Sequence, residues 1–222
     1  MTFEWIEIPA GGPVDHDFEI AKYPVTNAQY AEYLRAIDPA EAAKRYCRLM
    51  EEHFFGGIMK DFSVKTGFEK KPVVFVSWHD AQAFAAWAGG RLPTAAEWRK
   101  AAAWLPLGNR LAKYCTGKDE LPSQSEAVFY DDDNGWALPA PHLADVDWYA
   151  PSGTYGLCGM AGNVAEWVED AVDSRVKLFA GWRLTLGGSL FRPIEQTLTT
   201  AQEGDAPEKR LSTFGFRLVR DA

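Results

Sequence analysis

Apolar positions recur with a helical period in three stretches of this chain, and each stretch opens on a cap signal. Thr26 and Gln29 stand three residues apart, and Tyr30, Tyr33, Leu34 and Ile37 then follow at the i, i+3, i+4, i+7 spacing that lines one side of a helix. Ser77 with Asp80 opens a second helix, with Phe84 and Ala88 on its apolar side and Gly89-Gly90 as its stop. Thr94 with Glu97 opens a third, which carries Trp98, Ala101, Ala102 and Leu105 on one side and ends at Pro106. The stretch from Glu41 to Phe55 reads as a further helix, without a stop before Gly56-Gly57.

Elsewhere the period changes. Pro72-Val73-Val74-Phe75-Val76 is too short for a helix and rich in β-branched residues, which predicts a buried strand. Leu184, Leu186 and Leu190 alternate around Gly187-Gly188. Phe214, Phe216 and Leu218 alternate with Gly215, Arg217 and Val219, which predicts a half-buried last strand. From Cys115 to Tyr155 the chain is rich in Pro, Asp, Gly and Ser and studded with aromatics. That composition predicts a long irregular segment, of the kind compact domains keep for binding or ion coordination. Helices come first and strands last, without βαβ rhythm or internal repeats, so the expected class is α+β with an antiparallel sheet.

Length and charge narrow the function classes. The 222 residues predict one domain over 1–222, and 47% apolar residues suffice for a full core. The 31 acidic residues outnumber the 23 basic ones, and a net charge of −8 argues against nucleic acid or an anionic membrane surface as partner. No apolar run approaches the roughly 20 residues that span a bilayer. Met1 to Trp5 lacks the basic and apolar regions of a signal peptide, so the expected location is cytoplasmic. Cys47, Cys115 and Cys158 are odd in number and widely spaced, as suits reduced thiols. His16, His53, His79 and His142 are dispersed, and no phosphate-binding loop, dinucleotide fingerprint or nucleophile elbow occurs.

Several longer motifs carry a resemblance. They are Lys22-Tyr23-Pro24-Val25-Thr26-Asn27-Ala28-Gln29-Tyr30, Pro72 to Trp78, and Gly90-Arg91-Leu92-Pro93-Thr94-Ala95-Ala96-Glu97-Trp98. After them come Tyr155-Gly156-Leu157, Met160, Gly162-Asn163-Val164-Ala165-Glu166-Trp167, Gly187-Gly188-Ser189 and Gly215-Phe216-Arg217. In this order they resemble the formylglycine-generating enzyme (sulfatase-modifying factor) family, whose domain is a variant of the C-type lectin fold. The resemblance implies that fold over nearly the whole chain, with Tyr23, Trp78, Trp98 and Trp167 as core aromatics. It further implies that Arg91 and Arg217 form internal ion pairs or carbonyl clamps.

The chemistry of the family is another matter. Members that make formylglycine hold copper with two closely spaced cysteines just after the Gly-Gly-Ser turn. Here Leu190 to Thr197 contains no cysteine, and Arg192 and Thr197 stand where the thiolates would be. Copper(I) takes soft thiolate ligands, so no copper is expected. The family's Arg-Gly-Gly-Ser-Trp reads Leu186-Gly187-Gly188-Ser189-Leu190, and Leu198 and Gln202 replace recurring arginines. The usual Gly-Leu-Tyr-Asp-Met has become Gly156-Leu157-Cys158-Gly159-Met160. Calcium is the metal the resemblance leaves open. Asn163 and Glu166 would supply side-chain oxygens and Val164 a carbonyl, as a hard cation requires. Alternatively, Asn163 ends a turn and Glu166 caps a neighbouring backbone. Asp131-Asp132-Asp133-Asn134 is either a second calcium site or a solvated loop. Glu51-Glu52-His53 reads as a solvated face, and Lys209-Arg210 is too small a basic cluster for nucleic acid.

Two function classes follow. The first is a non-catalytic recognition protein that binds a protein, peptide or small-molecule ligand through its C-terminal surface. One version of it is a variable protein diversified by a retroelement. The second class is an oxidoreductase of the family acting on a peptide or thiol substrate. For the first, Leu190 to Thr213 is too polar to be core and is bracketed by two strands, so it is expected to carry the binding face. Phe191, Arg192, Glu195 and Gln202 are the expected ligand-binding residues, joined by Trp148 or Tyr149 from the upstream loop. The alternative is that this segment merely covers the edge of the sheet.

Overall fold

The computed structural model describes residues 1–52, 57–131, 135–136, 143–173 and 177–222. All three cap signals close as reciprocal boxes, each side chain accepting from the other residue's amide. Thr26 and Gln29 start α1 (Asn27–Ala36). The continuous helix expected from Glu41 to Phe55 is instead two short ones, α2 (Pro39–Arg45) and α3 (Leu49–Glu52). The break falls at Tyr46, which turns extended and donates its hydroxyl to the Met59 carbonyl at 2.8 Å and the Glu51 carboxylate at 2.9 Å. Ser77 and Asp80 start α4 (Trp78–Trp87), and Thr94 and Glu97 start α5 (Ala95–Ala103). The last of these stops short of Leu105, because Trp104 turns extended and Leu105 enters the core from a hairpin.

Two small sheets hold most of the described strands. In the first, β1 (Trp5–Ile8), β2 (Phe18–Ala21) and β13 (Val219–Asp221) pair antiparallel in that order. The second has the order β11 (Glu203–Asp205), β10 (Arg183–Leu186), β9 (Ala165–Ala171), β12 (Phe214–Gly215). Its pairs are antiparallel except that β12 runs parallel to β9. Three two-residue hairpins complete the set: β3 (Met59–Lys60) with β4 (Ser63–Val64), β5 (Trp104–Leu105) with β6 (Arg110–Leu111), and β7 (Tyr130–Asp131) with β8 (Gly135–Trp136). The class is α+β with much irregular chain. Among the described residues, no helix is long and apolar enough to cross a membrane.

Two sequence expectations change in detail. Val73 to Val76 is fully buried, yet it forms no ladder. Val73 donates to Val25 and Phe75 to Leu211, on loops either side, and Phe75 is held at φ 59°. The expected last strand is two, because the chain passes from the second sheet at Phe214 to the first at Val219. Core lies on both sides of that crossing, so every residue from Phe214 to Val219 is buried instead of every second one. The central strand β9 shows why two cores exist. Trp167 belongs to the cluster that holds Tyr30, Phe84 and Phe216, while Val168 belongs to the one that holds Ile8, Phe18 and Trp98.

Glu97 ties His16 and Arg91 to the start of α5. Beyond capping the helix, its carboxylate receives Arg91 through two hydrogen bonds of 2.7 and 2.8 Å and His16 Nε2 at 3.1 Å. Burial pushes this carboxyl up, but Arg91, the Thr94 amide and His16 outweigh burial and hold it at about 2 instead of 4.5. A lowered carboxyl stabilises the fold above its unfolded value and loses that contribution as pH falls. The melting temperature should therefore drop between about pH 4.5 and 2. Glu97→Gln should lower it at neutral pH and flatten that acid limb. An acid limb of unchanged steepness in the variant would refute this account.

Candidate functional site

The turn at the end of β10 positions the C-terminal segment. Gly187 and Gly188 sit at φ 92° and 71°, where side chains are strained. A Cβ on Gly187 would lie 3.0 Å from the Met160 carbonyl and 3.1 Å from the Trp98 ring. One on Gly188 would lie 3.0 Å from the Gln196 backbone. The two glycines thus allow the 3-10 turn Ile194–Thr197 to close directly over the strand end. Leu190 then drops into the core, its amide donating to the Asn163 carbonyl at 3.1 Å.

From there the segment is anchored at alternate points. The Thr197 hydroxyl donates to Ile194 at 2.7 Å, and its carbonyl accepts the Cys115 amide at 2.8 Å. Thr199 donates its amide to Lys113 and its hydroxyl to Ala112. These ties leave Arg192, Glu195 and Gln202 exposed, with Phe191 half-buried against the core. Arg192 Nε lies 2.8 Å from Glu203, and Arg99 Nη2 donates to Gln202 at 2.9 Å. Arg99 was not evident from sequence, since the capping pattern of α5 says nothing about how far its third residue after Ala96 reaches. Part of the segment also forms the sheet edge, because Glu203–Asp205 pairs with β10 as β11. Upstream, Trp148 is 60% exposed. Tyr149 is half-buried and donates to the Gln124 carbonyl at 2.7 Å. It lines a cleft with Thr116, Glu126 and Gly153, none of which belongs to the C-terminal segment.

The residues proposed for calcium have other partners. Glu166 and Arg217 are both fully buried, with Arg217 Nε 2.7 Å from one carboxylate oxygen and Nη2 2.8 Å from the other. Trp98 Nε1 donates to the first oxygen as well, at 2.7 Å. Arg217 also donates to the carbonyls of Ala21, Lys22 and Cys158. Asn163, at φ 62°, exchanges two hydrogen bonds with the Ala144 backbone, and Val164 is buried against Gly215. Calcium needs several free oxygens. As placed, the side chains of Asn163 and Glu166 are engaged by the Ala144 backbone and by Arg217 and Trp98, so a calcium ion would have to displace those partners. Glu166 holds an arginine and an indole, which corrects the expectation of a backbone cap. Residues 132–134, His53 and His142 lie outside the described residues, as do the side chains of Asp131 and Glu52. Among the described residues, no group of three or more His, Cys, Asp or Glu side chains is arranged to hold a metal.

Cys115 and Cys158 are poor thiolate donors. All three cysteines are free and buried. Burial pushes the Cys115 thiol up to about 12, with Arg99 opposing and Glu166 reinforcing, and burial raises Cys158 too. Of the arginines, Arg91 grips Glu97, Arg217 grips Glu166, and Arg210 grips the capping carboxylate of Asp80 at 2.7 and 3.0 Å. Arg210 of the Lys209-Arg210 pair is therefore a brace. Two outcomes are expected. Arg217→Met should cost about 3–5 kcal/mol in urea unfolding, since it strands Glu166 as a buried unpaired charge. Calcium and chelator should leave the melting temperature unchanged; a calcium-dependent rise that Glu166→Ala abolishes would restore the cation site.

Comparison with known proteins agrees with this frame. Residues 7–222 match the family model of the sulfatase-modifying factor enzyme 1-like domain. The chain is 29% identical to the formylglycine-generating enzyme of Thermomonospora curvata, over 92% of this chain and 82% of that protein. It is 29% identical to the inactive C-alpha-formylglycine-generating enzyme 2 of Mus musculus, over 97% and 79%. Serine/threonine-protein kinases Pkn1 of Chlamydia also match, and the chain spans about a third of their length. Among solved structures, CarF shares the fold with a TM-score of 0.71 and 22% identity, covering 100% of this chain and 99% of that one. Treponema denticola variable protein 1 does so with 0.64 and 19%, covering 100% and 92%. With the buried Glu166–Arg217 pair at its centre and the family model spanning nearly its whole length, this chain belongs to the formylglycine-generating enzyme, or sulfatase-modifying factor, family.

Proposed function

We propose that this chain is a non-catalytic member of its family that binds a protein, peptide or small-molecule ligand through the face carrying Phe191, Arg192, Glu195 and Gln202. The observation that carries the reading is what occupies the two thiolate positions. Arg192 is ion-paired to Glu203, and Thr197 is buried with its hydroxyl donated to Ile194. Neither side chain is a soft donor, and the Cys115 thiol stays protonated at neutral pH. The mouse relative described as inactive supports the reading as well. So does the fold shared with a protein described as variable. In the diversified version of this reading, variation is confined to exposed positions such as Arg192, Glu195 and Gln202. Leu190 is core and would not tolerate exchange.

The test has two arms. Purified protein offered copper(I) against a competing chelator should bind none tightly, and a cysteine-containing sulfatase peptide should keep its mass. Stoichiometric copper with oxidation of the peptide would overturn the reading in favour of an oxidoreductase. On a peptide array, the combined Arg192→Ala and Gln202→Ala variant should lose the binding of the parent while keeping its stability within about 0.5 kcal/mol. Binding that survives this variant would move the ligand face elsewhere.

A further inference from the structure

Arg99 stands apart from the arginines that brace this fold. Arg91, Arg192, Arg210 and Arg217 each meet a carboxylate at 2.7 or 2.8 Å. Arg99, partly buried on α5, forms no ion pair with any described residue. Its one hydrogen bond runs from Nη2 to the Gln202 side chain at 2.9 Å. Nε is enclosed and unbonded, whereas Nη1 is open to solvent and has no partner among the described residues. Glu203, next to Gln202 in the chain, is already taken by Arg192 at 2.8 Å.

The contact with Gln202 sets the chemistry of the spot. Gln202 is exposed, and its Oε1 accepts from Arg99, which leaves Nε2 as an unmatched donor. Nη1 of Arg99 is a second donor, on a group that stays charged at every ordinary pH. Water can bond both donors, but it does not neutralise a charge partly withdrawn from solvent. A carboxylate does both, and its two oxygens match the planar guanidinium fork. One uncompensated guanidinium calls for one negative charge. Glu195 and Glu203 on the same segment, with a net charge of −8 on the chain, disfavour a phosphate dianion.

We propose that the face carrying Gln202 recognises an acidic peptide, one carboxylate of which docks on Arg99 and the Gln202 amide. The proposal rests on the ligand-binding reading of that face and names the chemistry the face selects. Arg99, and not the already paired Arg192, is the recognition cation.

The experiment screens the full chain on an array of short random peptides with free and amidated C-termini. The best binders are then measured by fluorescence anisotropy beside versions in which Asp becomes Asn and Glu becomes Gln. Binders should carry Asp, Glu or a free C-terminus, and neutralising the docking carboxylate should weaken binding about tenfold or more. Whether the side-chain or the C-terminal change has that effect identifies the source of the carboxylate. Arg99→Met keeps the stem and removes the donors. It should weaken acidic peptides about tenfold, more than Arg192→Met does, with the melting temperature unchanged because the enclosed, unbonded Nε leaves with the surface hydrogen bond. Gln202→Glu supplies an internal counter-ion at an exposed position, so it should hold or raise the melting temperature and block acidic peptides even where Arg99→Met fails to fold. Parental affinity of acidic peptides for Gln202→Glu overturns the proposal, and so does equal binding of the acidic and amide versions. In the second case the face itself still stands if Arg192→Ala with Gln202→Ala abolishes that binding. An array on which no peptide binds overturns the peptide ligand, while a small-molecule ligand on the same face is untouched.

Discussion

The contact between Arg217 and Glu166 governs the architecture, because it is a full ion pair with no solvent around it. Removing two charges from water is costly, and such a pair persists only when every donor and acceptor is matched. Here the matching is complete on the carboxylate, which takes three donors, and extensive on the guanidinium, which also reaches three carbonyls. Those partners come from β2 and the residue after it, the Cys158 turn, the second residue of β9 and α5. Elements distant in sequence are therefore joined at one point, and none can shift without leaving a charge exposed in the core.

That constraint reaches the candidate binding face through Trp98. The indole donates to Glu166, and its ring lies so close to Gly187 that any side chain there would collide with it. The turn after β10 is thereby fixed from below, and Gln196 closes over it from above. The segment beyond the turn inherits a rigid base while its own polar side chains point outward. This division suits recognition: the scaffold carries the ordering cost, and the exposed positions are free to differ.

The same geometry underlies the proposal that this chain is a non-catalytic member of its family. Copper(I) takes soft thiolate ligands. The corresponding positions hold a surface ion pair and a buried threonine, and burial keeps the Cys115 thiol in its neutral form. The fold survives this replacement because the thiolate positions lie beyond the Gly-Gly turn, outside the Glu166–Arg217 contact on which the packing rests.

The sequence by itself determined what local physics controls. Three reciprocal caps start three helices because each is written within four residues, and the ordered motifs from Lys22 to Arg217 fixed the family and its fold. The missing cysteines between Leu190 and Thr197 were equally legible. What only the tertiary structure decided is who meets whom. Val73 to Val76 is apolar enough for a strand, but loops on both sides take its hydrogen bonds. Phe214 to Val219 alternates like one half-buried strand, but it crosses between two sheets and is buried on both faces. Glu166 carries the oxygens of a calcium ligand and Arg217 was expected in an internal ion pair or carbonyl clamp, but nothing in the intervening 50 residues says that the two close on each other. Arg99 gave no signal at all, since it matters through a reach across the fold to Gln202. Such facts depend on contacts between residues far apart in the chain, and a pattern of near neighbours does not encode them.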